Sequence, residues 1–248
     1  MPRPVPSEGS AAVKHTHPAS LELRAAALTA ARTEVLRETD LHILPGELFV
    51  LLGAAESGKS SVLRAIAGLD RLSGGEIRLD GQVISRVPAR RRDIALMLQS
   101  FPLWPHLDVA ENVAFAVKGR GLNRQAARQR VMRELAFVGL GEFARHLPSQ
   151  LTPGQRQRVA LARTLAADRH LCLLDEPFSA QPPQLAEQLR GLMRRRQQQA
   201  GLTTLLASAD TDLALRTGRN PDFWLIESAL VGRLLDRRGT LHPGHVPC

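Results

Sequence analysis

The chain has 248 residues, 44% of them hydrophobic, which allows one large domain or one core with an inserted subdomain. No run of about 18 apolar residues occurs, so no segment is expected to span a membrane alone, and two cysteines, Cys172 and Cys248, cannot build a disulfide framework. The formal net charge of +9 is carried mainly by arginine, but only 4% of residues are aromatic and none interleaves Arg90-Arg91-Arg92 or Arg194-Arg195-Arg196, so a solvated Arg-rich surface is expected and no nucleic-acid partner.

Residues 1–20 carry Pro2, Pro4, Pro6, Gly9 and Pro18 and lack an apolar core of signal-peptide length, so they read as a disordered tail. Folded-looking sequence begins at Leu21–Arg24. The apolar run Leu48–Leu52 predicts a buried strand. It leads into Gly53-Ala54-Ala55-Glu56-Ser57-Gly58-Lys59-Ser60, which matches the phosphate-loop pattern G-x-x-x-x-G-K-[ST] at every fixed position. Ser61–Ala67 then predicts a helix. Glycines let backbone N–H groups curl around phosphate oxygens, and the helix N-terminus adds positive potential. In such a loop Lys59 reaches the β- and γ-phosphates and Ser60 ligates Mg²⁺. Gly53 through Ser61 are therefore the candidate nucleotide-binding residues.

Further strands are predicted at Ile77–Leu79 and Ile94–Leu98. The region from Phe101 to Leu151 differs. Glu111–Val117 and Asn123–Val138 show helical periodicity, with turn signals at Gly119, Gly121, Gly139 and Gly141, so an all-helical insertion is expected over about residues 101–157. Thr152 followed by Gln155 is a capping-box pattern, and Pro153 falls at the first helical position, where a missing N–H is tolerated. Leu171–Leu174 is an apolar strand ending in Asp175-Glu176-Pro177, with Cys172 an inert core residue. Ligands bind beyond the carboxyl ends of parallel strands. Asp175 can then hold the Mg²⁺ shell and Glu176 polarise an attacking water; the alternative is that the two acids cap the next helix. Pro182-Pro183 breaks the chain, strands follow at Thr203–Ala207 and Phe223–Ile226, and residues 237–248 read as a flexible tail. Strands alternating with helices argue for an α/β core with a largely parallel sheet.

The order of phosphate loop, Met97-Leu98-Gln99, Leu151-Thr152-Pro153-Gly154-Gln155-Arg156-Gln157-Arg158 and Leu173-Leu174-Asp175-Glu176-Pro177 resembles the ATP-binding subunit of an ABC transporter. The resemblance runs from about Leu21 to Leu235, and a nucleotide-binding domain is expected over 21–236. Phe101–Leu107 and Ala110–Phe115 further resemble the ATPases of bacterial sugar, sulfate, polyamine and ferric-iron importers. The resemblance implies a RecA-like P-loop NTPase core, an antiparallel β portion near the N-terminus and a helical subdomain. It implies ATP and Mg²⁺ as ligands, with catalysis by Glu176, Gln99 and Lys59 and metal binding by Ser60, Gln99 and Asp175. ATP would lie between one subunit's phosphate loop and the signature residues Thr152, Gly154 and Gln155 of a second nucleotide-binding subunit, in a homo- or heterodimer. Permease subunits, docked around Trp104, and a solute-binding protein complete the implied system, at the cytoplasmic face of the inner membrane. The implied function couples ATP binding and hydrolysis to solute transport.

The sequence departs from the family pattern at several of these points. The signature is usually Leu-Ser-Gly-Gly-Gln; Thr152 keeps a hydroxyl, but Pro153 deletes a backbone donor, and a hydrogen bond to a charged group is worth roughly 1.5–3 kcal/mol. The switch histidine is replaced by Ala209; losing one preorganised donor costs about 10²–10³ in rate. The D-loop reads Ser179-Ala180-Gln181-Pro182 and lacks its aspartate. The adenine-stacking aromatic expected near Ala30 is absent, and Glu56 stands where a small residue is usual. Two readings follow: an importer ATPase with weakened or tolerably varied turnover, or a non-hydrolysing, degenerate or regulatory subunit paired with an intact partner.

Overall fold

From Leu21 the chain forms β1 (Leu21–Ala30), β2 (Thr33–Ile43) and β3 (Leu48–Gly53), then α1 (Lys59–Ala67), β4 (Gly74–Leu79) and β5 (Gln82–Val83). The structure, a computed structural model, describes residues 18–30, 32–210, 223–226, 232–235 and 241–242, so most of both expected tails lies outside the described residues. Strands β2-β1-β4-β5, in that order, make a four-stranded antiparallel sheet. Along β1, Leu21 and Leu23 point inward while Arg24 is exposed, the alternation of a sheet with one solvated face. The register slips between Leu23 and Ala26. There Ala25 takes φ 42° and donates its N–H to Asp40 Oδ1 at 2.7 Å, a bulge that bends the sheet.

β3 begins a second sheet with β6 (Ile94–Met97), then, after the helices α2 (Val109–Ala114), α3 (Arg124–Phe137) and α4 (Pro153–Ala166), β7 (Leu171–Asp175). The helix α5 (Pro183–Ala200) precedes β8 (Thr203–Ser208), β9 (Phe223–Ile226), β10 (Gly232–Leu235) and β11 (Leu241–His242). The order is β11-β10-β9-β3-β8-β7-β6; the five strands from β9 to β6 are parallel, and β10 and β11 join antiparallel at one edge. Both faces of the parallel strands are covered, which is why β3 and β7 are near-continuous apolar runs and why β8, though it carries Thr203, Thr204 and Ser208, is buried at every position. Successive β3 side chains serve opposite cores. Val50 and Leu52 pack with Val113, Leu135, Leu161 and Leu189 from α2–α5. Phe49 and Leu51 pack with Leu63 and Ile66 of α1 and with Leu21 and Ile43 of the antiparallel sheet.

The predicted strands all form. The predicted helix over 111–117 resolves into α2, capped by an Asp108–Glu111 capping box, followed by a 3₁₀ turn at Phe115–Val117. Asn123 caps α3. The capping box at Thr152 and Gln155 and Pro153 at the first helical turn are present in α4, which runs on to Ala166 and packs against α2 and α3. No helix among the described residues is long and apolar enough to cross a membrane.

One arginine of each triplet departs from the expectation of a solvated surface, while Arg90, Arg91 and Arg195 are exposed as expected. Arg92 is 5% exposed. Its guanidinium donates to the carbonyls of Ala65 (2.9 Å), Ile66 (2.7 Å), Val87 (2.8 Å) and Ser85 (3.1 Å), closing the C-terminal end of α1. Helix ends leave carbonyls without intrahelical partners, and a cation there also suits the helix dipole. Arg196 pairs with the fully buried Glu134 of α3 and lies 5.1 Å over the Phe137 ring, joining α5 to α3.

Candidate functional site

The phosphate loop connects the last residue of β3, Gly53, to the first of α1, Lys59. Gly58 sits at φ 97°, and a Cβ there would meet Val35 Cγ1 at 2.3 Å, so only glycine fits between the loop and β2. No side chain caps α1 and no acid lies in its first turn, which leaves its leading N–H groups for an anion. Lys59 is buried, and its Nζ donates to the carbonyls of Gly53 and Ala54, both at 2.7 Å. Ala54, Ala55 and Glu56 are exposed, Ser57 is buried, and Ser60 and Ser61 are half-buried on the first turn of α1. Glu56 adopts φ 63°, a left-handed conformation that glycine takes without strain, and is exposed.

β7 delivers the two carboxylates. Asp175 ends the strand, buried, and Glu176 follows at φ 48°, its Oε1 4.0 Å from Lys59 Nζ. They face the phosphate loop rather than capping α5, whose N-terminus begins at Pro183. Burial pushes the Asp175 carboxyl up, opposed by the Ser60 hydroxyl, Lys59 and the Gln99 backbone N–H. Burial also pushes Glu176 up, opposed by Lys59, the Ala209 N–H and Ser208. The same burial pulls the Lys59 ammonium down, against the attraction of both acids. Asp175 Oδ1 is buried without a hydrogen-bond partner, and Ser60 stands beside the carboxylate. Hard oxygens from one carboxylate and one hydroxyl suit Mg²⁺, which completes its shell with water and phosphate oxygens.

Gln99 reaches the site through its backbone; its side chain is exposed. Thr152, Gly154 and Gln155 sit elsewhere, at the N-terminus of α4. Thr152 and Gln155 are engaged in their own capping box, with Gln155 N–H on Thr152 Oγ1 at 3.2 Å and Thr152 N–H on Gln155 Oε1 at 2.8 Å. Ala209 follows β8, exposed, and offers Glu176 only its backbone N–H. A cavity of about 520 Å³ opens there, lined by Glu176, Phe178, Gln181, Arg190, Ser208 and Ala209. Trp104 packs against Phe115, the rings tilted at 41° with centroids 4.2 Å apart, with Arg163 over the Trp104 ring, and Phe115 remains 47% exposed.

Sequence reasoning missed Gln157 and Ser208. Ser208 ends β8 with its hydroxyl 3.5 Å from Glu176 Oε2. Gln157 lies on the buried stripe of α4 with Ala160, Leu161 and Thr164, and is fully excluded from solvent. A long polar side chain at an inward position of the helical period was the available signal.

The family model for ABC transporter matches residues 36–179. The chain is 41% identical over 180 residues to the spermidine/putrescine import ATP-binding protein of Pseudomonas fluorescens, covering 73% of this chain and 50% of that protein. It is 39% identical over 178 residues to an Fe(3+) ions import ATP-binding protein of Rhizobium meliloti, covering 72% and 50%. It is 39% identical over 188 residues to the sulfate/thiosulfate import ATP-binding protein of Photorhabdus laumondii, covering 74% and 52%. The chain thus spans about half the length of the curated relatives it matches. Among solved structures, a dimeric ATP-binding cassette in a post-hydrolysis state bound to ADP and Pi aligns with TM-score 0.76 and 29% identity, over 85% of this chain and 97% of that one. The parallel sheet with its phosphate loop, the antiparallel strands and the helices between β6 and β7 are those of a RecA-like P-loop cassette. Lys59, Asp175 and Glu176 meeting on that scaffold, within a segment the family model matches over more than half of the chain, make it a member of the ABC transporter family.

Proposed function

We propose that this chain is the ATP-binding subunit of an ABC importer, coupling ATP binding and hydrolysis to solute movement through a membrane permease. The observation that carries the reading is the meeting of Lys59, at the mouth of the phosphate loop, with Asp175 and Glu176 at the carboxyl end of a parallel strand. Gly53 through Ser61 would cradle the phosphates, with Lys59 leaving its two carbonyl partners to meet the β- and γ-oxygens. Ser60 and Asp175 would hold Mg²⁺, with Gln99 alongside, and the ion would neutralise phosphate charge. Glu176, its proton affinity raised by burial, would polarise the attacking water. Thr152, Gly154 and Gln155 would serve the nucleotide of a second cassette, and the Trp104–Phe115 surface would take the permease from its cytoplasmic side. Cargo selection belongs to the permease and solute-binding protein.

Ala209 favours slow turnover, and with it a second reading: a nucleotide-binding subunit that does not hydrolyse and is paired with an intact cassette. One experiment separates them. Mg-ATP hydrolysis by the purified protein is measured beside Lys59→Ala, with ATP binding in parallel. Turnover that vanishes in Lys59→Ala supports the ATPase; binding without turnover supports the second reading; failure of both sinks the proposal.

A further inference from the structure

Four hydrogen bonds converge on one buried side chain of α4. Gln157 Nε2 donates to the Glu176 carbonyl (2.9 Å) and to Ser179 Oγ (3.1 Å). Its Oε1 accepts from the Ala180 N–H (3.1 Å) and from Gln181 Nε2 (2.8 Å). A carboxamide has two donor hydrogens and two acceptor lone pairs, so Gln157 is fully used, and all four partners belong to the loop between β7 and α5. Gln181 Nε2 reaches back to the Gly154 carbonyl at 2.9 Å. At that point backbone meets backbone: a Cβ on residue 154 would lie 2.8 Å from the Ala180 oxygen.

What this attachment holds is a strained residue. Glu176 is a non-glycine at φ 48°, a conformation that persists only where surrounding structure imposes it. Its N–H is held by the Ala207 carbonyl (3.0 Å), and its own carbonyl accepts from Gln157 Nε2 (2.9 Å) as well as from the Ser179 N–H (3.3 Å) and hydroxyl (3.1 Å) three residues on, so that Gln157 is the tie from outside the loop. The direction of the Glu176 side chain follows from that backbone. Pro182, which the family pattern would make an aspartate, has neither an N–H nor a polar side chain, so the polar tie of this end of the loop falls to Gln181.

We infer that Gln157 and Gln181 form an amide brace that locks the 176–182 loop to the first turns of α4 and thereby positions the Glu176 carboxylate. Both are positioning residues; neither touches the reacting atoms. The inference rests on the reading of Glu176 as the group that polarises water. It makes displacement of the α4 N-terminus, by whatever docks there, a displacement of Glu176.

The test uses the full chain and two variants. Gln157→Met removes all four bonds at nearly constant volume, and Gln181→Leu removes only the bonds to Gly154 and Gln157. With saturating Mg-ATP, kcat should fall about 10²-fold in Gln157→Met, the scale of a misplacement near 1 Å, and several-fold in Gln181→Leu. KM for ATP should stay within about twofold in both, because the phosphate loop is untouched. Hydrogen exchange should quicken at the Ala180 amide in both. Should Gln157→Met not fold, Gln181→Leu carries the comparison. Unchanged kcat with unchanged exchange, or a loss confined to KM, overturns the brace. Absence of turnover in the unmodified chain would instead count against the hydrolase reading, and exchange at Ala180 would then decide the brace: quickened, it stands; unchanged, it falls.

Discussion

Ala209→His is the substitution that measures what the missing side chain costs. Around Glu176 the structure supplies Ser208 Oγ at 3.5 Å, the Ala209 N–H and Lys59 Nζ at 4.0 Å, and nothing from the side chain at 209. The cavity of about 520 Å³ beside Ala209 leaves room for an imidazole. The backbone there is pinned: Asp210 pairs with Arg190 at 2.7 Å and its N–H donates to Ser208 Oγ at 3.0 Å, so a new side chain enters without moving the strand. A preorganised donor at a developing charge is worth about 10²–10³ in rate. On the proposed pairing with a second cassette, Pro153 would offer no N–H to that cassette's phosphate, a donor worth about 1.5–3 kcal/mol that the substitution does not restore. The expected outcome is therefore a rise in kcat of about 10²-fold, at the low end of the donor range, with KM for ATP little changed. Phosphate release at saturating Mg-ATP is the assay. A gain below about 3-fold, in a variant that folds and binds nucleotide like the parent, would refute the assignment of slow turnover to position 209.

Asp175→Asn should remove Mg²⁺-dependent tightening of ATP binding while raising the melting temperature of the nucleotide-free protein. The native state binds the Asp175 and Glu176 protons more tightly than the unfolded chain does, so their burial costs stability as pH rises through and beyond the ordinary carboxylate range. The gain in Asp175→Asn should thus shrink on acidification, and a melting temperature below the parent's at neutral pH would contradict it. Arg92→Met should lower stability by about 3 kcal/mol in urea, because two buried and two part-buried carbonyls lose a charged donor, offset by relief of the guanidinium's desolvation. A change under about 1 kcal/mol would show that water replaces it. Cys172, fully buried with its thiol pushed up to about 12, should resist alkylation in the native protein and react on unfolding; fast native labelling would mean the strand opens.

Much of the fold was legible because its signals are local. Near-continuous apolar runs mark β3 and β7 as strands buried on both faces, whatever their neighbours. Thr152, Pro153 and Gln155 specify the start of α4 within four residues. The phosphate loop was legible for the same reason: a glycine at φ 97° and a lysine that bonds carbonyls five and six residues back are properties of a short stretch. What docks against a stretch from afar was not written in it. Arg92 looks like its exposed neighbours Arg90 and Arg91, and is buried only because α1 ends beside it, some 26 residues upstream. Gln157 looks like any polar helical residue until the loop 19 residues on folds over it. Periodicity and φ/ψ preference act over one or two turns, and the sequence by itself determined what they reach: the strands, the caps and the loop for phosphate. Whether a charge or an amide is solvated or holds a distant backbone depends on long-range packing, and that the tertiary structure alone decided.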